Sequence, residues 1–338
     1  MRRLVERSAA RILDSAMCGS MNFLQWKRRG DASTPAELEA YLAAHAASSR
    51  HEFYRLTPVV HPVIRGEWMT WESPIPSGYP ENDRARIRFF PAARRDAPVA
   101  ILLHALMSAS DAGYVRLARW FNRHGWSAAF PHLPYHYSRT PKNTLNGELA
   151  MSANLIRNAE GLRQGVVELR QLMALLRARG VRQFGLVGTS YGGWTGALLS
   201  FLEPDLRFVS LIQPIVNVER AIWENPASAT LRCSLARLGH RPGNTLRHAH
   251  LSSPLHGVPM ADHVFLTAGE FDRVAPPADL EAAAAAWPGA RLLQVRQGHF
   301  GYRALPAALQ AITPLLASSG RLFNNSCIER PTPVGSVA

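Results

Sequence analysis

The chain has 338 residues, enough for one large α/β domain, and a hydrophobic content of 47% is sufficient for a full core. Its formal net charge of +13 favours anionic surfaces, yet the arginines are spread along the chain and no nucleic-acid-binding module is legible, so nucleic acid is not an expected partner. Cys18, Cys233 and Cys327 have no paired short spacing, which argues against a disulfide framework and fits a reducing, cytoplasmic setting.

Residues 1–29 begin MRRLVERSAARILDSAM, where Leu4, Val5, Ile12, Leu13 and Met17 recur at helical spacing and Arg3, Arg7 and Arg11 share the opposite face. The apolar run is too broken by charge for a signal peptide and too short for a membrane span. An amphipathic helix packed on the domain is expected, with peripheral contact to an anionic membrane as the alternative. A second helix opens at Ser33-Thr-Pro-Ala-Glu, with Thr34 as N-cap, Pro35 at its first position and Glu37 closing a capping box, and runs to about Ala47. Residues 1–66 thus form a helical extension.

From Glu67 the pattern changes to extended segments, Glu67 to Ser73, Ala85 to Pro91 and Val99 to Ala105, separated by Pro, Gly and Asn clusters. The third is apolar on both faces and reads as a central strand. A helix from Asp111 to Arg123, a buried strand in WSAAFPHLP, an aromatic loop PYHYSRTPKNT and a long helix from Ala153 to Arg179 follow. Further strands are expected at Phe184 to Val187, Phe208 to Val216, Val264 to Ala268 and Arg291 to Val295, with helices at Trp194 to Leu202, Ala278 to Trp287 and Leu305 to Leu316. This alternation argues for an α/β fold, a mostly parallel sheet covered by helices on both faces. Residues 217–257 read as an irregular insert, and the tail 318–338 as loose.

The chemistry concentrates at Gly188-Thr-Ser-Tyr-Gly-Gly. Glycine two residues either side of Ser190, between an apolar strand and a helix-compatible run, is what a sharp strand-to-helix turn needs to project a serine from its tip. The N–H of Tyr191 then lies at a helix N-terminus, suited to a developing oxyanion. A serine nucleophile needs a base and a carboxylate to orient it. Asp272 follows one late strand in GEFDRVAPP, with Glu270 and Glu219 as alternative acids, and His299 stands in the Gly-flanked QGHFGY loop after another. His104, His132, Tyr135, Tyr137 and Trp194 read as core or pocket wall. His248 and His250 in RHAHL come nearest to a metal cluster but lack acidic companions, so neither metal nor cofactor is expected.

These motifs, together with LLHALMSAS after the strand at Val99, resemble the α/β-hydrolase superfamily over residues 67–317. The segments FPHLPYHYSRTP and WPGARLLQVRQGH are similar to the branch called abhydrolase domain containing protein 18 in animals. The resemblance implies a second oxyanion N–H from Leu106, with Met107 as its neighbour; His104-Ala105 stands where the superfamily commonly has His-Gly. It implies a cofactor-free serine hydrolase acting on a carboxylic ester or thioester through an acyl-enzyme, with residues 217–257 as a cap over the site. Amide hydrolysis, acyl transfer and non-catalytic ligand binding on the same scaffold are the alternatives. Arg220, Arg232, Arg237, Arg241 and Arg247, set among Ile222, Trp223, Leu231 and Leu238, would suit a lipid-like ligand with an apolar chain and an anionic group.

Overall fold

The computed structural model describes residues 2–28 and 30–317; the tail reading at 318–338 lies outside them, as does Cys327. Helix α1 (Arg2–Lys27), α2 (Pro35–His45) and the short α3 (Arg50–Phe53) precede the first strand. Thr34 caps α2 with the reciprocal bonds to Glu37 that its sequence implies.

Among the described residues, nine strands form one sheet: β1 (Val63–Arg65), β2 (Trp68–Glu72), β3 (Arg84–Phe90), β4 (Val99–Leu103), β5 (Ser127–His132), β6 (Phe184–Thr189), β7 (Leu206–Ile212), β8 (His263–Gly269) and β9 (Arg291–Val295). Their spatial order is β1-β2-β3-β5-β4-β6-β7-β8-β9. The six from β5 to β9 along this order run parallel, and β1 to β3 are added antiparallel at one edge. The chain lays β5 on one side of β4 and β6 on the other. Such a reversal opens a crevice at the carboxyl ends of the strands, and the candidate site lies at those ends.

Strand β4 shows why the sheet is covered twice. Val99, Ile101 and Leu103 join the core beneath α5 (Leu155–Ala178) and α6 (Tyr191–Ser200), whereas Ala100 and Leu102 face α4 (Ala112–Arg123) and α11 (Ala304–Ala317). All five are buried, so the strand reads as a continuous apolar run. Residues 217–257 are more regular than expected. They hold α7 (Val218–Trp223), α8 (Ala229–Arg237) and α9 (Ala249–Ser252), each too short for a helical period to stand out, and α10 (Pro277–Ala286) follows after β8. Strand β1 has no sequence signal because its three residues are exposed on both faces.

Helix α1 docks through its polar side. Asn22 accepts from the N–H of Thr230 at 2.8 Å and Gln25 from that of Leu231 at 3.3 Å. Both N–H groups belong to the unpaired first turn of α8, whose own N-cap Ser228 makes no capping bond, so α1 caps α8 from outside. Among the described residues no helix is long and apolar enough to cross a membrane.

The loop after β5 is held by one buried ion pair. Arg139, 1% exposed, donates to both oxygens of Glu168 on α5, at 2.5 and 2.9 Å, and to the carbonyls of Asn82 and His132. Deleting the carboxylate strands a buried guanidinium, so Glu168→Ala should destabilise the fold by about 3–5 kcal/mol. Asp96→Ala, which breaks a fully exposed pair with Arg94, should change stability little. Urea unfolding of the two variants measures the contrast.

Candidate active site

Strand β6 ends in a turn at Ser190, whose backbone takes φ 51° and ψ −110°, a strained conformation for a residue with a side chain. The N–H of Ser190 donates to Ile212 O at 2.8 Å, which anchors the strained residue to β7. Gly192 allows the turn to close: a Cβ there would come within 2.5 Å of the carbonyl oxygens of Leu103 and His104. The close approach in this chain therefore depends on Gly192, with Ala105 accommodated beside it.

Three strand ends meet at the serine. His299, in the loop after β9, places Nε2 2.9 Å from Ser190 Oγ, and its Nδ1 lies 2.8 Å from Asp272 Oδ2 in the loop after β8. The other oxygen of Asp272 accepts the N–H groups of Val274 and Ala275 at 2.7 and 2.8 Å. Gln213, at the end of β7 with φ 47°, donates to Asp272 Oδ2 at 2.5 Å and to Gly298 O at 2.9 Å. It is held in turn by Gln297, whose amide donates to Gln213 Oε1. Glu270 pairs with Arg3, and Glu219 accepts from Gly243 and Thr245 within residues 217–257; among the described residues neither bonds to His299.

Helix α1 contributes a carboxylate that the motifs do not announce. Asp14, 3% exposed, accepts the N–H of His299 at 3.0 Å and of Phe300 at 3.3 Å. A Cβ on Gly298 would lie 2.5 Å from Asp14 Oδ2, so the glycine of GHF makes room for this contact. Burial raises the Asp14 pKa, against the two N–H bonds, which lower it. Burial also disfavours the charged His299 ring, but the charge and hydrogen bond of Asp272, with the charge of Asp14, outweigh it and the His299 pKa is raised. Nearby Cys18 is buried, and desolvation pushes its thiol up to about 11, so it stays protonated.

A pocket of about 110 Å³ opens on Ser190 and His299, with Leu106 and Tyr191 on one wall. Met21 and Gln25 of α1, and Ala221, Asn225, Ala227 and Ser228 of the insert, also line it. In the loop after β4 the N–H of Ala105 donates to Tyr114 and that of Met107 to His136 Nε2. Among the described residues the N–H of Leu106 makes no such bond, which leaves it available to the pocket. Buried His104 accepts from Leu133 N–H at 3.0 Å through Nε2, so Nδ1 carries its proton; burial, then neighbouring His136, keep its pKa far below the usual imidazole range. His132 and Tyr135 are likewise buried in the loop packing, and Trp194 donates to Ser252 O at 2.7 Å.

Comparison with solved structures defines the fold. The acetyl xylan esterase of a Paenibacillus species is 14% identical with a TM-score of 0.58, the match covering 86% of this chain and 98% of that one. Acetyl xylan esterase 1 of a Thermoanaerobacterium species is 15% identical, with a TM-score of 0.54 and the same coverage of 86% and 98%. An α/β hydrolase, GrgF, of a Penicillium species is 15% identical over 70% of this chain and 94% of its own, with a TM-score of 0.50. The chain has the α/β-hydrolase fold. No protein-family model and no curated protein matches the sequence.

The electrostatics can be tested without a substrate. Asp14→Asn retains an acceptor for the loop N–H groups but removes a negative charge that favours the imidazolium. The midpoint of the His299 ring titration, followed by NMR, should move to lower pH. An unmoved midpoint would show that Asp14 acts on the loop by hydrogen bonding alone.

Proposed function

We propose that the protein is a serine hydrolase that cleaves a carboxylic ester or thioester through an acyl-enzyme. The observation that carries this reading is the continuous relay of Ser190, His299 and Asp272, at 2.9 and 2.8 Å, built on a strained turn that opens into a pocket. Ser190 Oγ attacks the acyl carbon as its proton passes to His299 Nε2, while Asp272 holds the imidazole by Nδ1 and stabilises its positive charge. The N–H groups of Tyr191 and Leu106 receive the oxyanion. As the tetrahedral adduct collapses, the leaving alcohol or thiol takes the proton from His299. Water then attacks the acyl-enzyme with His299 as base, releases the acid and restores Ser190. The esterase names of the structural neighbours agree with this chemistry, and the resemblance to the branch called abhydrolase domain containing protein 18 belongs with it.

The substrate reading is a medium or long acyl chain. A second cavity, of about 60 Å³, shares Met151 and Ala221 with the Ser190 pocket and is lined by Leu38, Leu42, Leu155, Leu162 and Ile222. An apolar chain bound at Ser190 could continue past this common wall. The insert arginines give less support to an anionic group on the substrate: Arg220 pairs with Asp279 and Glu224, Arg247 pairs with Glu39, and Arg232 bonds to carbonyls.

Two experiments test the proposal. Ser190→Ala should lower esterase activity on the order of 10³-fold or more without unfolding the protein, and should abolish labelling by a fluorophosphonate probe. In the same panel Asp272→Asn should approach the loss of His299→Ala, whereas amide variants of Glu270 and Glu219 should not. Half-maximal activity in Ser190→Ala would sink the nucleophile assignment. Separately, hydrolysis should be faster for medium or long acyl esters than for acetate. Ala159→Phe, which intrudes only on the inner cavity, should lower long-chain kcat/KM by about tenfold or more and leave acetate unchanged.

A further inference from the structure

Helix α1 is turned opposite to the orientation that an apolar stripe favours in a globular domain. Asp14 and Cys18 face the interior, whereas Val5, Ile12 and Phe23 are 64%, 72% and 60% exposed, with Leu13 and Trp26 beside them. Residues 5, 12 and 23 recur on one side of the helix, so this is a stripe and not scattered exposure. Soluble monomers seldom leave a contiguous apolar face of this kind against water.

The charges around the stripe select its occupant. The two carboxylates of α1 are both engaged by the protein, Asp14 at the His299 loop and Glu6 at Arg303, and the outward stripe carries none. Lys27 lies over the Phe23 ring at 5.6 Å, whereas Arg7 and Arg11, on the opposite face of the helix, line a cleft with Glu270 and Asp272. The whole chain carries +13, so two copies facing each other across this helix would bring like charges together. An anionic surface with an apolar interior meets both demands: the stripe enters the acyl boundary, and Lys27 at its end remains among the headgroups of a surface opposite in sign to the chain.

We infer that α1 is an interfacial helix that seats the protein on an anionic lipid bilayer by its outer face. The inner face of this helix carries Asp14 against the His299 loop, and Met21 and Gln25 line the Ser190 pocket. Seating it on a bilayer therefore brings the pocket beside the lipid. This deepens the ester-hydrolase proposal by naming the surface from which the substrate comes, but the seating itself does not depend on Ser190.

Sedimentation with vesicles tests the inference independently of catalysis. The Ser190→Ala protein is mixed with vesicles of phosphatidylcholine alone or with phosphatidylglycerol added, at low and high salt. Retention should require the anionic lipid and fall with salt. The double variant Ile12→Ser/Phe23→Ser should bind at least about tenfold more weakly, since two buried apolar side chains are lost. In the Ser190-containing background the same double variant should hydrolyse a soluble short ester at the normal rate. No retention on anionic vesicles at low salt, or retention unaffected by the double variant, overturns the inference. So does a concentration-dependent dimer that the double variant abolishes, because the stripe would then be a contact between copies. Loss of esterase activity in Ser190→Ala with vesicle binding intact separates the two proposals.

Discussion

A carboxylate removed from water must find its hydrogen bonds inside the protein, and the Asp272 side chain is fully buried. Val274 and Ala275 N–H, the Gln213 amide and the His299 ring supply them. The four donors come from three constraints: the turn after β8 positions two, the strained end of β7 the third, and the loop after β9 the fourth. The geometry at Ser190 depends on this one charge being satisfied, because His299 reaches the hydroxyl only when its other nitrogen is held. Gln213 also ties Gly298 to the same point, so the Asp272 carboxylate and the His299 loop are fastened together.

The second dependence runs through α1. Its polar side caps the first turn of α8, carries Asp14 to the backbone of the His299 loop and closes one wall of the pocket. A helix that must satisfy so many buried N–H groups presents its polar residues inward, and its apolar residues are left outside. The inverted amphipathicity is thus a consequence of where unpaired backbone donors lie, since these cannot be left without partners at a closed interface.

Much of the architecture was legible in the chain. Apolar runs of strand length alternating with helical periods specified the sheet, and the double-sided burial of Val99 to Leu103 follows from five consecutive apolar residues. The strand Arg291–Val295 and the capping box at Thr34 appear where local chemistry requires them. Residues 217–257 were less legible because helices of four to nine residues carry too few turns to show a period. The direction faced by α1 was not legible at all: a stripe of apolar residues reads the same whether it meets a core or remains outside.

By itself, the sequence determined the elbow, since Gly188-Thr-Ser-Tyr-Gly-Gly between strand and helix leaves few other conformations, and it placed Asp272 and His299 at strand ends. What it left open were choices among neighbours. Asp272 stands at His299 while Glu270 and Glu219 are engaged elsewhere, and Leu106 N–H is left to the pocket while Ala105 and Met107 are bonded. Only the tertiary structure decided these, because they turn on which groups other segments have already occupied. The same holds for Gln213, Asp14 and Gly298, whose contacts span 59 to 286 residues of chain and carry no local signal. Short-range chemistry specifies a turn; the partners of a buried polar group are specified by everything that packs around it.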